Sequence, residues 1–513
     1  MTHPRTRSRA VVPTLLTALA LALSGCAGGF DSAEGSDAAT SGGSDAQEAQ
    51  RLRVALNGEP STLNPIYDIS VPSLSVFRSV FSGLTAIDAE GAVEPSLATS
   101  WDVDETAQTW VFTLDPDALF HDGTPVTAAD VAFTFQQGMT DPEAATGSYV
   151  SRIEAVEATG EHEVTFRLKA PYAPFDRQVT LVPVISQAAY EADPEGFAVA
   201  PVGSGPYEVE SWSRGDTLMV TRFADYFGEP AAAAEVEFRF VLDETTRANS
   251  LQAGDLDVAQ IGASSVATLQ GSGDLEVLEQ ESNRVLYLGF NTTAGPLGDP
   301  EVRRAIDMAV DREAISETLY QGYAAPSGQL VAPTTFGYSE AIEPTAYDPE
   351  AASELLAQSD YDGTPVVLSY PAMELPQITQ LAQAVGGYLE EIGLTVQFDQ
   401  QETANFRTAW LGKEFPGIYI WQFAPSIMDA DLPLSLLVGP GTTRYFEDET
   451  VDALMAEQIG LTDPDERAAV LGELLGLVHD EVYYSSLFTD VYTYGVSAGS
   501  PWTPRADGLF SID

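Results

Sequence analysis

The stretch YLGFNTTAGPLGDPEVRRAIDMAVDREAI, residues 287–315, contains two changes of pattern. Its start, taken with the two residues before it, is an apolar run over 285–291 with no polar alternation, the mark of a strand buried on both faces. Asp299, Pro300 and Glu301 then supply an N-cap, a first-position proline and a first-turn acid, so a helix runs through Val310. Asp311-Arg312-Glu313 starts a second helix in the same way. Downstream, helices over 351–358, 376–391, 450–459 and 465–479 are interleaved with strands over 365–370, 394–398 and 417–421. Such interleaving is an α/β domain.

Upstream, RLRVALNGEPSTLNP (51–65) opens as an alternating strand and breaks at Asn57-Gly58 into a proline-rich loop. TWVFTL (109–114) alternates likewise, and beyond it Thr127 with Asp130 reads as a helix N-cap ahead of Val131 and Phe135. A hairpin is expected from strands near 207–212 and 217–223, with Arg214-Gly215-Asp216 as its turn. No internal repeat is visible.

The single cysteine, Cys26, stands in LALSGCAGG (21–29), after Arg5, Arg7, Arg9 and an apolar segment over 11–23. That order is a secretory signal peptide, and the apolar part is too short to span a bilayer, which takes about 20 residues. Leu23-Ser24-Gly25 before Cys26 resembles the bacterial lipobox, which implies cleavage after residue 25 and lipidation of Cys26. Stable anchoring takes two or more acyl chains. Residues 27–50 are built mainly from Gly, Ser, Ala, Asp and Glu with one large apolar residue, Phe30, and cannot bury enough surface to fold. As a flexible tether they reach roughly 25–30 Å.

The formal net charge of −54 excludes nucleic acid as a partner, since the chain repels phosphate. Lysine occurs only at 169 and 413, and both a GC-rich genome that writes Arg for Lys and a saline habitat account for the acidity. With one cysteine no intramolecular disulfide forms, so the folded part relies on its core. No later run of 18 uncharged apolar residues appears.

Three blocks carry a family resemblance: VEPSLATSWDVDETAQTWVFTLDPDALFHDGTPVTAADVAFTF (93–135), PVGSGPYEVESWSRGDTLMVTRFADYF (201–227) and the opening stretch. In this order, behind a lipobox, they resemble the family 5 extracellular solute-binding proteins, the peptide and nickel receptors of ATP-driven (ABC) importers. The resemblance implies an α/β, two-lobed periplasmic-binding-protein-like fold of type II with an inserted subdomain, closing by hinge bending around its ligand. Lobe I is expected from 51–83, 204–290 and 489–513, the inserted subdomain from 84–203 and lobe II from 291–488. The implied partners are a peptide or peptide-like organic solute, an ABC permease with its ATPase subunits, and the cell membrane through Cys26; the protein is expected to be a monomer outside the cytoplasm. No cofactor is expected.

By position in the family pattern, Glu59, Tyr149, Asn291 and Trp421 are the candidate ligand contacts, with Phe423 beside Trp421 as a second flat apolar wall. Peptide-binding members carry an Asp three residues after this tryptophan, paired with the peptide ammonium group. Here Ala424 and Pro425 follow, and the acids arrive only at Asp429 and Asp431. A buried ammonium without a partner costs several kcal/mol, so ordinary free peptides fit only if another group replaces it. Arg407 and Arg444 are candidate partners for an anionic group. His121, His162 and His479 have no metal-ligand spacing, and His121 beside its turn reads as structural. Asn291-Thr292-Thr293 fits a glycosylation sequon but coincides with the strand-to-loop block and reads as structural.

Enzyme chemistry finds no foothold: G-x-S-x-G, H-E-x-x-H and a phosphate-binding loop are all missing. An exported hydrolase is therefore the weakest reading. A solute sensor with the same fold, signalling through a membrane partner, is the main alternative to import. Neighbouring genes for permeases and ATPases favour import, and a neighbouring sensor kinase favours signalling.

Overall fold

The computed structural model describes residues 51–372 and 377–512. The expected signal peptide, Cys26 and tether lie outside the described residues. No helix among these is long and apolar enough to cross a membrane.

One mixed sheet of eleven strands runs through the molecule. At one end, Arg51–Leu56 lies parallel to and between Glu235–Phe240 and Val258–Ile261, and the hairpin Tyr207–Ser213 with Thr217–Arg222 completes that edge. At the other end, Val366–Pro371 lies parallel to and between Val396–Gln401 and Ile418–Phe423. Two long antiparallel strands, Leu275–Phe290 and Tyr484–Ser497, join the halves. Their register shifts between Glu281 and Val285, and only from Val285 to Phe290 does the first of them also pair with Ile418–Phe423. The halves are thus two lobes on one interrupted sheet. At this shift the first long strand gains Ile418–Phe423 as a second neighbour, upstream of residue 290.

Each lobe has its own core. Val54, Phe77, Val236 and Tyr494 are in the core of lobe I. Lobe II is buried on both faces of its sheet: Leu286, Leu288 and Ile420 point to one side, Tyr287, Tyr419 and Trp421 to the other. Between residues 84 and 203 a separate four-stranded antiparallel sheet packs Phe112 and Phe166, with Phe175 of a short following helix, into one core with Phe135 of helix Ala128–Thr140. This is the region expected as the inserted subdomain. Burial of this kind, at about 25 cal/mol per Å² of apolar surface, is what holds a chain without disulfides.

Local chemistry explains the helix starts. Asp299, Asp311, Asp348, Asp448 and Asp463 each accept a hydrogen bond from a first-turn N–H of the helix they cap. Each such cap contributes about 1 kcal/mol, so part of the acidity is used to end helices. Asp130 accepts from both the backbone N–H (3.1 Å) and the hydroxyl of Thr127, closing a capping box over the expected helix.

Candidate ligand cleft

Ligands of open α/β sheets bind beyond the carboxyl ends of parallel strands, where the loops diverge. In lobe I those ends lead to Asn57, to Glu244 and Arg247, and to Gly262; in lobe II the end of Val366–Pro371 leads to Gln377. All five residues line one cavity of about 350 Å³, together with Arg284, Leu286, Tyr320, Tyr323, Asp490 and Tyr492. The volume is at the lower end of the roughly 300–1,000 Å³ usual for small-molecule sites. The cavity lies where the two long strands pass between lobes.

Arg284 and Asp490 meet across these strands through one hydrogen bond, from the guanidinium NH1 to Oδ2 at 2.9 Å. Burial pushes the Asp490 carboxyl up from its ordinary range, and Arg284 opposes that shift only in part. Arg284 Nε, the Tyr320 hydroxyl and Gln377 Oε1 are buried without a hydrogen-bond partner among the described residues. Burial also raises the Tyr320 hydroxyl pKa, with the Asp490 charge adding to it, so the group stays protonated. Arg247 is spent on backbone, donating to the carbonyls of Val241, Leu242 and Gln260, which ties two strand ends together. The Glu244 carboxylate occupies the place a side chain would take at Gly262, with 2.2 Å left to a Cβ there.

Trp421, Phe423 and Arg407 come together at the carboxyl end of Ile418–Phe423, in a second cavity of about 310 Å³ completed by Trp410, Leu411 and Ala424. Trp421 is nearly fully buried against Phe406 and Trp410, and the Arg407 guanidinium lies 5.9 Å from its ring centre. This cavity opens on the opposite sheet face from the one Leu286 lines.

The other expected residues are elsewhere. Asn291 follows Phe290, which pairs with Ile418 at the amino end of that strand, about 17–20 Å along the sheet from the cleft. Its amide donates to the Phe415 carbonyl and accepts from the backbone and hydroxyl of Thr293. Arg444 lines a surface hollow beside Asn291, with its guanidinium committed to Asp452, Glu447 and the Val438 carbonyl. Neither side chain reaches the cleft, because each closes the far end of lobe II. Glu59 accepts from the backbone N–H of Gly215 at the hairpin turn (3.0 Å), so it clamps the loop after the first strand. Tyr149 packs against the inserted subdomain's core, and burial raises its pKa to about 12.

The two acids after Trp421 are also spent inside lobe II. Asp429 takes a bidentate pair from Arg467, at 2.6 and 2.7 Å, and Asp431 accepts from Ser435 and Gln458. Asp431 uses Oδ1 for both bonds, its buried Oδ2 having no partner among the described residues, and neither acid lines either cavity. The loop that carries them instead meets the inserted subdomain: Arg177 donates to the carbonyls of Gly91 and Met428, and the Ala173 N–H donates to the Ile459 carbonyl. His121 is structural. Its Nδ1 accepts from the Gly203 N–H, so Nε2 carries the proton and donates to the Gly205 carbonyl. Among the described residues no group of three or more His, Cys, Asp or Glu is placed to hold a metal ion.

Sequence reading missed Arg284, Asp490, Tyr320 and Gln377. A signal was present: Arg284 abuts an apolar strand, and Asp490 interrupts the run SSLFTDVYTYGV.

Residues 92–444 match the profile of the bacterial extracellular solute-binding proteins, family 5, middle region. The glutathione-binding protein GsiB of Escherichia coli K12 is 27% identical over 444 residues, covering 82% of this chain and 85% of its own. The structure of HbpA2 from Haemophilus parasuis superposes with a TM-score of 0.82 at 22% identity, over 90% of this chain and 100% of that one. The binding protein AgaA of A. tumefaciens R10, solved with agropinic acid, gives a TM-score of 0.72 at 27% identity, over 90% of this chain and 99% of its own.

Proposed function

This chain belongs to the bacterial extracellular solute-binding proteins of family 5, and from that premise we propose that it is the lipid-anchored receptor of an ABC importer, taking a small peptide or peptide-like organic solute from outside the cell to a permease. The observation that carries this reading is the cavity at the crossing strands. Loops from the carboxyl ends of both lobes' parallel strands line it, and three buried polar atoms around it lack partners. A polar ligand in the cavity would supply these atoms with the partners that buried polar groups ordinarily have. The relatives named above bind glutathione, a small peptide, and agropinic acid, and a cavity of about 350 Å³ suits solutes of that size.

Trp421, Phe423 and Arg407 are proposed to hold a ligand side chain on the other sheet face when the lobes close. Lipidation of Cys26 would keep the receptor near its permease, while the tether lets it turn onto that partner. Replacing Cys26 by Ser is expected to move the protein from the membrane fraction to the soluble one.

Native mass spectrometry of the gently purified protein tests the receptor reading. A solute released on denaturation is expected, either a ladder of small peptide masses or one defined compound. An empty protein that also binds no member of a peptide and glutathione panel would count against it.

A further inference from the structure

The pair at the strand crossing is unfinished. A guanidinium and a carboxylate can join by two parallel hydrogen bonds, yet Arg284 and Asp490 form one. Among the described residues, the buried Arg284 Nε has no acceptor and Asp490 Oδ1 has no donor. Both residues line the hinge cavity, where the Tyr320 hydroxyl and Gln377 Oε1 are likewise unpartnered. Each such group costs about 1–3 kcal/mol when left unpaired, a cost that a ligand pairing several of them at once would offset. Among the described residues the charged ones lining the cavity are Glu244, Arg247, Arg284 and Asp490, two of each sign, in a chain whose net charge is −54. A lone anion or a lone cation enclosed there would leave one charge uncompensated, which a low-dielectric site penalises heavily. A neutral ligand carrying both signs would not.

We propose that Arg284 and Asp490 are the charged recognition element of the cleft and that its ligand is a small zwitterion. The ligand carboxylate docks on the Nε edge of Arg284, the ammonium group meets Asp490 Oδ1, and Gln377 Oε1 accepts from a neighbouring N–H. This rests on the receptor reading and adds the ligand's charge pattern to it. It also assigns the ammonium group a partner, since Asp429 and Asp431 lie outside both cavities.

The test uses the protein dialysed free of solute in mild guanidinium chloride. It is offered an equimolar mixture of dipeptides and tripeptides with free ends, and separately the same mixture acetylated at the amino end or amidated at the carboxyl end. Native mass spectrometry reads what is retained. Retention is expected from the free-ended mixture, with at least a tenfold loss on capping either end and in both Arg284→Met and Asp490→Asn. The isosteric Asp490→Asn keeps the test decisive if Arg284→Met fails to fold. Equal retention of capped peptides, or unchanged retention by the folded variants, overturns the proposal. So does failure to retain either mixture. In that last case, an untreated protein that carries a non-peptide solute leaves the receptor reading standing, whereas an untreated protein that is empty removes both.

Discussion

Arg467 with Asp429 and Arg284 with Asp490 are the same two residue types joined in the same molecule, and they are finished differently. Asp429 is fully enclosed, receives both terminal nitrogens of Arg467, and also accepts from the Asp431 N–H; Gln458 takes two further Arg467 donors. Arg284 and Asp490 retain 28% and 20% exposure of their side chains and share one bond, with donor and acceptor left over beside a cavity. A completed pair cannot take up a ligand without breaking; an incomplete one can. The degree of saturation, more than residue type, separates the group that holds the fold from the one placed to recognise.

The largest expected effect breaks the completed pair. Arg467→Met strands the Asp429 carboxylate and is expected to cost about 3–5 kcal/mol, read as a lower urea midpoint. A loss under 1 kcal/mol would dissolve the contrast.

A pH experiment sharpens the view of the saturated regions. His121 is held neutral because burial lowers its pKa to about 4, against an ordinary value near 6.5. The unfolded chain therefore takes up this proton first. His121 contributes stability that is complete above about pH 6.5 and lost as pH falls toward 4, about 2 kcal/mol between pH 7 and pH 5. The difference between the pH-stability profiles of wild type and His121→Gln should show that slope; parallel profiles would refute it.

Smaller still, Asp130→Ala removes the acceptor of Thr127 and of the Gln187 N–H (3.0 Å) and should cost about 1–2 kcal/mol in urea titration. At the bottom of the scale, Arg284→Met should change stability by about 1 kcal/mol or less, since its partner faces a cavity. A loss as large as that of Arg467→Met would make both pairs structural.

Much of this architecture was legible in sequence where one local rule acts alone. Asp299-Pro300 and Asp311 start helices where expected, Thr127 and Asp130 close their box, and the hairpin occupies 207–222. The strand Tyr484–Ser497 was not legible, because it is buried on both faces and has no alternation to read. Within the strand its exposure rises at Asp490 and Val491, where it leaves one lobe for the other, and again at its last residue, Ser497. The cleft's charged pair escaped for the same reason: its members are 206 residues apart, and only the pairing of the two crossing strands brings them together. Trp421, Phe423 and Arg407 were brought together as neighbours, whereas Asn291 and Arg444 close the far end of lobe II. A position in a motif specifies a strand end, but not which end faces the ligand.

The account's central claim is that the lobes close on a small solute at the strand crossing, and small-angle X-ray scattering tests it most directly. Profiles of the protein freed of solute and of the same protein with its released solute restored should differ, with a smaller radius of gyration in the second. An identical radius in both, with the solute shown to be bound, would contradict closure.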